Sequence, residues 1–181
     1  MRSSQMKFLD PRLKKMAAFG GSLLATKRGK LRMSNPKTKR PLSTKHAIHL
    51  VLKSSLARGD WSFRSIKNKR SVDESVRRHA HKYGVRVYEF ANVGTHLHLL
   101  IRVKNRFTYQ PFIRALTGHL SQIVTGARKG IRLKKKFWDF RPFSRVVEWK
   151  RAYSVVKDYL ILNQLEALGV ISRKPIFTST A

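Results

Sequence analysis

The sequence predicts an α+β fold in which helices pack on one face of an antiparallel sheet. Three stretches have the alternation or the β-branched content of half-buried strands, at residues 46–53, 85–91 and 93–102. Stretches with apolar residues at helical spacing follow the first and the third of them. With a further strand and helix near the end, the order is β-α-β-β-α-β-α, which is typical of a ferredoxin-like sheet.

Local signals set the bounds of the first elements. His46 and His49 of the first strand are three residues apart, so they lie on opposite strand faces and do not form a ligand pair. The sequence Ser71-Val72-Asp73-Glu74 is a capping box, and it predicts a helix that begins at Ser71 and is closed by Gly84. The residues Asn92-Val93-Gly94 then predict the turn of a β-hairpin.

The second half of the chain continues with helix, strand and helix. The next helix has Pro111 in its first turn, and its predicted buried stripe consists of Phe112, Leu116, Leu120 and Ile123. Residues 137–148 contain a short strand in which cations and aromatic residues alternate. The last helix is predicted from about Trp149 to Leu168 and stops at Gly169.

The charge of the chain indicates a polyanionic partner. Forty Lys and Arg residues against nine Asp and Glu give a net charge of +31, and the isoelectric point is about 11.6. Nucleic acid is favoured over an anionic membrane, because the chain has no basic amphipathic helix and no apolar run of membrane-spanning length. The absence of cysteine excludes disulfides, thiolate zinc sites and cysteine nucleophiles, and it fits a reducing cytoplasm.

The charge pattern predicts three regions. Residues 1–42 form a basic arm without sustained periodicity, residues 43–170 form the folded domain, and residues 171–181 form a tail. The arm is either a solvated tail or a segment that follows a phosphate backbone, and its charge density favours the second. The cations expected to bind nucleic acid are Arg102, Arg128, Lys129, Arg132, Lys134, Lys135, Lys136, Arg141 and Arg145.

Two histidines on the third strand are candidate metal ligands. His96 and His98 are two residues apart, so their imidazoles lie side by side on one face, while Leu97, Leu99 and Ile101 point into a core. Two parallel imidazoles on a rigid strand can bind a divalent metal. The alternative is a pair of ordinary histidines on a solvated sheet edge.

The hairpin that ends in Thr95-His96-Leu97-His98-Leu99-Leu100-Ile101-Arg102, followed by helices, resembles the HUH superfamily of single-strand nucleases. Within it the chain is most similar to the single-tyrosine transposases, in particular the REP-associated branch. The family motif Tyr-Ile-x-x-Asn-Pro is matched by Tyr159-Leu160-Ile161-Leu162-Asn163-Gln164. Two departures are Gln164 in place of proline and the absence of a tyrosine in the element Phe137–Phe143, where the family has Trp-Gln-x-x-Tyr.

The resemblance implies a function and a set of site residues. It implies an HUH motif on a central strand and a transposase that cleaves and rejoins single-stranded DNA through a covalent phosphotyrosine. Tyr159 would be the nucleophile, and His96, His98 and Asn163 would bind Mg²⁺ or Mn²⁺. Single-stranded or hairpin DNA is the expected partner, in a cytoplasmic, nucleoid-associated protein that is a monomer or a homodimer.

Two other classes of function remain open. One is a domesticated DNA-binding protein that has kept the fold and lost catalysis, in which Tyr159 and Asn163 are ordinary core residues. The other is a basic RNA-binding protein on a similar sheet, which paired aromatic residues on the strand face would favour. The face carries His96 and His98 instead.

Overall fold

Four strands and three α-helices follow one another in the predicted order within residues 42–128, 133 and 135–172, which the computed structural model describes. A 3-10 turn, Gly59–Trp61, precedes the first of these helices. The elements are β1 (Ala47–Lys53), α1 (Lys69–Lys82), β2 (Val85–Asn92), β3 (His96–Val103), α2 (Arg106–Thr125), β4 (Phe143–Val147) and α3 (Arg151–Ala167). Pro111 lies in the second turn of α2 and not in the first.

The strands form one antiparallel sheet in the order β2-β3-β1-β4. The strand that carries His96 and His98 is therefore central, between β2 and β1. Its pairing with β1 runs from Ile48 opposite Ile101 to Lys53 opposite His96. Each helical crossover joins strands that are separated by a third one, which is the split arrangement of a ferredoxin-like sheet. The predicted α+β class is confirmed.

The main core lies between one face of the sheet and the helices α1 and α2. On this face, β1 and β3 bury Ile48, Leu50, Leu52, Leu97, Leu99, Ile101 and Val103. The helices bury Val72, Val76, Ala80, Phe112, Leu116, Leu120 and Val124 against them. Val124 takes the place that the sequence predicted for Ile123, because steps of four residues from Phe112 keep a side chain on the same helix face.

The last helix lies on the other face of the sheet. The expectation that all helices share one face holds for α1 and α2 but not for α3, which packs on β2 and β3 and contacts the His98 ring. The physical reason is that this second face is also apolar around the histidines. Ala47, Val51, Ala91 and Leu100 lie on it and are buried.

The start of α1 differs from the capping-box prediction. The helix begins at Lys69 after Asn68, and Ser71 lies inside its first turn. The side chain of Asn68 makes no cap hydrogen bond, and its Nδ2 donates to the carbonyls of Asp60 and Ser62 at 2.7 and 2.9 Å. Glu74 pairs with Arg70 at 2.8 Å. The predicted end is confirmed, with Gly84 in the left-handed region at φ +62°.

The turn before β3 is held by the buried side chain of Asn92. Its Nδ2 donates to the carbonyl of Phe63 at 2.8 Å, and its Oδ1 accepts from the amide of Gly94 at 3.1 Å. Gly94 has φ +95°, and a Cβ there would lie 3.1 Å from Oγ of Ser62. The turn therefore needs glycine, and Asn92 fixes the point at which the histidine strand begins.

Asn92→Ala is expected to lower the free energy of unfolding by about 1–3 kcal/mol, because the Phe63 carbonyl and the Gly94 amide lose a buried partner. Urea unfolding measures this. Gln110→Ala, at an exposed position of α2, is the control and should change stability by about 0.5 kcal/mol or less. Equal stability of the two variants would contradict the role of Asn92.

Candidate active site

His96 and His98 lie side by side on β3, as their spacing predicts. Their ring centroids are 4.8 Å apart, with the ring planes at 76°. His98 is only 1% exposed, while His96 is partly exposed at the end of the strand. The Nδ1 atom of His96 is hydrogen-bonded to Oγ1 of Thr95 at 3.0 Å. The alternative of two histidines at a solvated sheet edge does not apply, because β3 is central and His98 is buried.

A third histidine joins this pair across the sheet. His49 of β1 is 4% exposed, and its Nε2 lies 3.1 Å from Nδ1 of His98. The two rings are stacked, with centroids 5.3 Å apart. The spacing of His46 and His49 within one strand did not predict this contact, which joins two strands. Predicting the contact between His49 and His98 requires the register between β1 and β3. The alternation of apolar residues within each strand does not determine that register.

The contact with His49 leaves one nitrogen of His98 available. Nε2 of His98 is buried and has no hydrogen-bond partner in the described part of the chain. Buried polar atoms in native proteins nearly always have a partner. If Nδ1 of His98 carries the proton and donates it to His49, Nε2 presents its lone pair, which is the arrangement of a metal-binding histidine whose other nitrogen is held by a neighbour.

Burial and nearby cations keep the three imidazoles neutral. The pKa of His49 is lowered to about 4, first by burial and then by Arg145, which lies opposite it on β4. The pKa of His96 is also lowered to about 4, by burial and by Lys53. Burial and the two neighbouring histidines lower the pKa of His98 well below its usual value. Neutral imidazole is the form that binds a metal.

Helix α3 places Tyr159 against the histidines. The phenol ring lies edge-on to His98 and His49, with centroid distances of 5.6 and 6.3 Å. Asn163 follows one turn later on the same helix face and is 7% exposed. Tyr153 packs on Trp149 instead, at a centroid distance of 4.9 Å. The structure therefore brings Tyr159, and not Tyr153, to the histidines.

Two polar contacts fasten α3 to β2. Oε1 of Gln164 accepts a hydrogen bond from the backbone amide of Asn92 at 2.9 Å, and Lys157 pairs with Glu89 at 3.2 Å. Gln164 is the residue that departs from the Asn-Pro motif. A proline at this position has no side-chain acceptor for the amide of Asn92. Gln164 therefore makes a contact between α3 and β2 that the proline of the motif could not make.

The candidate nucleic-acid-binding cations lie at different distances from the histidines. Arg145 is exposed and opposite His49. Arg102 is on the histidine face but six residues along β3 from His96, about 20 Å away at 3.3 Å per residue. Of the remaining candidate cations, Arg128, Lys135, Lys136 and Arg141 are described by the structure and are exposed. Outside the described residues lie Lys129, Arg132, Lys134, residues 1–41 of the arm and residues 173–181 of the tail.

Two features are absent from the part of the chain that the structure describes. No group of three or more His, Cys, Asp or Glu side chains in residues 42–128, 133 and 135–172 is arranged to hold a metal ion. A metal at His96 and His98 would therefore need ligands of another kind. The helices of the same residues include none that is long and apolar enough to cross a membrane.

The family comparison bears on this arrangement directly. A family model described as IS200-like transposase matches residues 43–164, from the residues before β1 to the residue after Asn163. The chain belongs to this transposase family. The resemblance to single-tyrosine transposases is thereby confirmed. The matched residues include both histidines of β3 and Tyr159.

Two solved structures align with the chain at low sequence identity. A REP-associated tyrosine transposase bound to a REP hairpin aligns with a TM-score of 0.56 at 10% identity, over 73% of this chain and 74% of that chain. A candidate transposase from Deinococcus radiodurans aligns with a TM-score of 0.45 at 15% identity, over 73% of this chain and 98% of that chain. None of the curated proteins matches the chain significantly. The REP-associated structure shows that the fold is shared.

Proposed function

We propose that this transposase cleaves and rejoins single-stranded DNA, with Tyr159 as the nucleophile and His96 and His98 as ligands of a divalent metal. The observation that carries the proposal is the contact of the Tyr159 ring with His98, the histidine whose Nε2 is buried and available. A nucleophile candidate and a metal-ligand candidate thus meet at one place on the sheet. Each residue taken alone has an ordinary structural explanation, but their proximity favours a reaction site.

The chemistry of Tyr159 follows from its hydroxyl group. Its oxygen attacks the scissile phosphorus, a bond from Tyr159 to phosphorus forms, and the bond from phosphorus to the leaving sugar oxygen breaks. The phenol proton is lost and the leaving oxygen takes up a proton. Because the phosphodiester is conserved as a phosphotyrosine, attack by a free DNA hydroxyl reverses the step and rejoins strands without ATP.

The residues around His98 fit a divalent cation. His96 and His98 would supply two imidazole ligands, and the Asn163 amide a third, with phosphate and water oxygens completing the set. When bound, the metal polarises the phosphate oxygens and offsets the charge that develops on them. His49 orients His98 by the contact at Nδ1. Two imidazoles favour Mn²⁺ over Mg²⁺, which prefers oxygen ligands.

Single-stranded or hairpin DNA is the proposed partner. The net charge of +31 and the exposed cations near the histidine end of the sheet support a phosphate-rich substrate. The structurally similar REP-associated transposase was solved with a REP hairpin. The packing of α3 on the sheet of its own chain supports a site in which Tyr159 and the histidines come from one copy. We therefore propose that a monomer can assemble the site.

Replacing both His96 and His98 by alanine is expected to abolish metal-dependent cleavage while much of the DNA affinity remains, because the phosphate contacts are made elsewhere. Labelled single-stranded flanking DNA with Mn²⁺ or Mg²⁺, analysed on a denaturing gel, measures cleavage. His81→Ala, at an exposed position of α1, is the matched control and should cleave normally. Unchanged cleavage by the double variant would exclude these histidines as ligands.

Tyr159→Phe is expected to bind DNA and to form no covalent adduct, because only the attacking oxygen is removed and the ring contacts with His98 and His49 stay. Tyr153→Phe is the matched control on the same helix and should form the adduct. Mass spectrometry of the trapped complex locates the link. An adduct on Tyr153, or activity of Tyr159→Phe, would refute the assignment, and no adduct in the unmodified protein would favour a domesticated binder.

Deleting residues 1–42, or replacing Lys135 and Lys136 by alanine, is expected to make DNA binding less sensitive to salt. Each phosphate contact contributes about 0.7 to the slope of log K against log salt for single strands, because bound counterions are released. Replacing Arg77 and Lys82, on the outer side of α1 and away from the histidine face, should leave the slope unchanged. A slope unaffected by the deletion would make the arm a solvated tail.

A further inference from the structure

Phe140 is a large apolar side chain that the fold leaves at the surface. Its exposed fraction is 60%, although Phe137, three residues earlier, is 5% exposed and belongs to the core. Of the aromatic residues that alternate with cations here, Trp138 and Phe143 are half-buried. Among the described residues of this segment, Phe140 is thus the aromatic residue with a ring accessible to a partner.

The residues before Phe140 are firmly held. The Trp138 ring stacks on Phe63 at a centroid distance of 5.7 Å, and its Nε1 donates to the carbonyl of Thr117 at 3.1 Å. Oδ1 of Asp139 accepts from both the amide and the hydroxyl of Ser55, each at 2.8 Å. The attachment point of Phe140 is therefore fixed before any ligand binds, which lowers the entropy cost of using the ring for binding.

The position of Phe140 relates it to the histidines. The amide of Asp139 donates to the carbonyl of Lys53 at 3.2 Å, and Lys53 lies opposite His96. Phe143 then pairs with Val51 on the same strand. Residues 140–142 thus run beside the end of β1, roughly 10 Å from His96, which is two strand spacings of about 4.8 Å.

The surroundings of Phe140 are cationic. Lys135, Lys136 and Arg141 are close in sequence and exposed, and Arg145 follows on β4. Proteins that bind single-stranded DNA combine such cations, which contact the backbone, with aromatic rings on which bases stack. Docking of a second copy of the chain on this surface is disfavoured, because each copy carries a net charge of +31.

We infer that Phe140 is a stacking platform for one unpaired base, next to the phosphate that is positioned at His96 and His98. The inference rests on the proposed function and adds a residue that positions the strand. Stacking does not depend on base identity, because every base has a π-face. Phe140 therefore sets where the strand lies and not which sequence is read.

Phe140→Ala is expected to weaken binding of a single-stranded oligonucleotide by about 5- to 150-fold, which corresponds to about 1–3 kcal/mol per stacked base. Fluorescence anisotropy with the full chain and no metal measures this. Phe140→Trp should bind normally, whereas Phe140→Leu should behave like the alanine variant. Phe107→Ala is the matched control, since Phe107 is 87% exposed but follows the far end of β3, and it should bind normally.

A series of oligonucleotides, each with one abasic position, distinguishes stacking from a general loss of affinity. One position is expected at which the abasic site and Phe140→Ala are not additive, because they remove the same contact. Additivity at every position would overturn the inference, as would a concentration-dependent dimer that Phe140→Ala abolishes. If the unmodified protein binds and cleaves single-stranded DNA and Phe140→Ala binds it with equal affinity, only the stacking role of Phe140 is refuted. If the unmodified protein binds no single strand, the proposed function fails too.

Discussion

The register between β1 and β3 is the constraint on which the site depends. Ile48, Leu50 and Leu52 must face α1 and α2 together with Leu97 and Leu99 of β3, and this places the odd-numbered residues of β1 on the histidine face. His49 thereby reaches His98, and Lys53 lies opposite His96. A slip of one residue would turn every side chain of β1 to the other face. The packing of the hydrophobic core therefore determines which side chains of β1 lie beside His96 and His98.

The same burial gives the histidines their chemical state. Water is excluded from His98 and His49 by α3 and by the apolar residues around them, so the protonated forms are disfavoured. Cations at the rim, Arg145 and Lys53, act in the same direction. Burial is the larger cause of the lowered pKa values, and only the smaller contribution, from the two cations, would also attract an anionic ligand.

The sequence was sufficient for the fold class, the order of elements and the shared face of His96 and His98, because these depend on periodicity within single segments. The sequence did not predict what depends on contacts between segments. The pairing of His49 with His98 needs the register, and the place of α3 depends on both faces of β3 being apolar. The bond from Asn92 to Gln164 joins residues 72 positions apart. At the start of α1 as well, the side chain of Asn68 bonds outside the helix, to the carbonyls of Asp60 and Ser62.

The position of α3 over the histidine face has a consequence for how a substrate enters. The helix covers His98, while His96 stays partly exposed at the end of β3, so the site opens at the end of the sheet and not across its face. On the proposed function, a phosphate reaches the histidines only if its strand bends around that end. A single strand bends freely, whereas a duplex resists such curvature over a few nucleotides. On the same proposal, discrimination against duplex DNA would be mechanical, because the stiffness of a duplex would exclude it before any base is read.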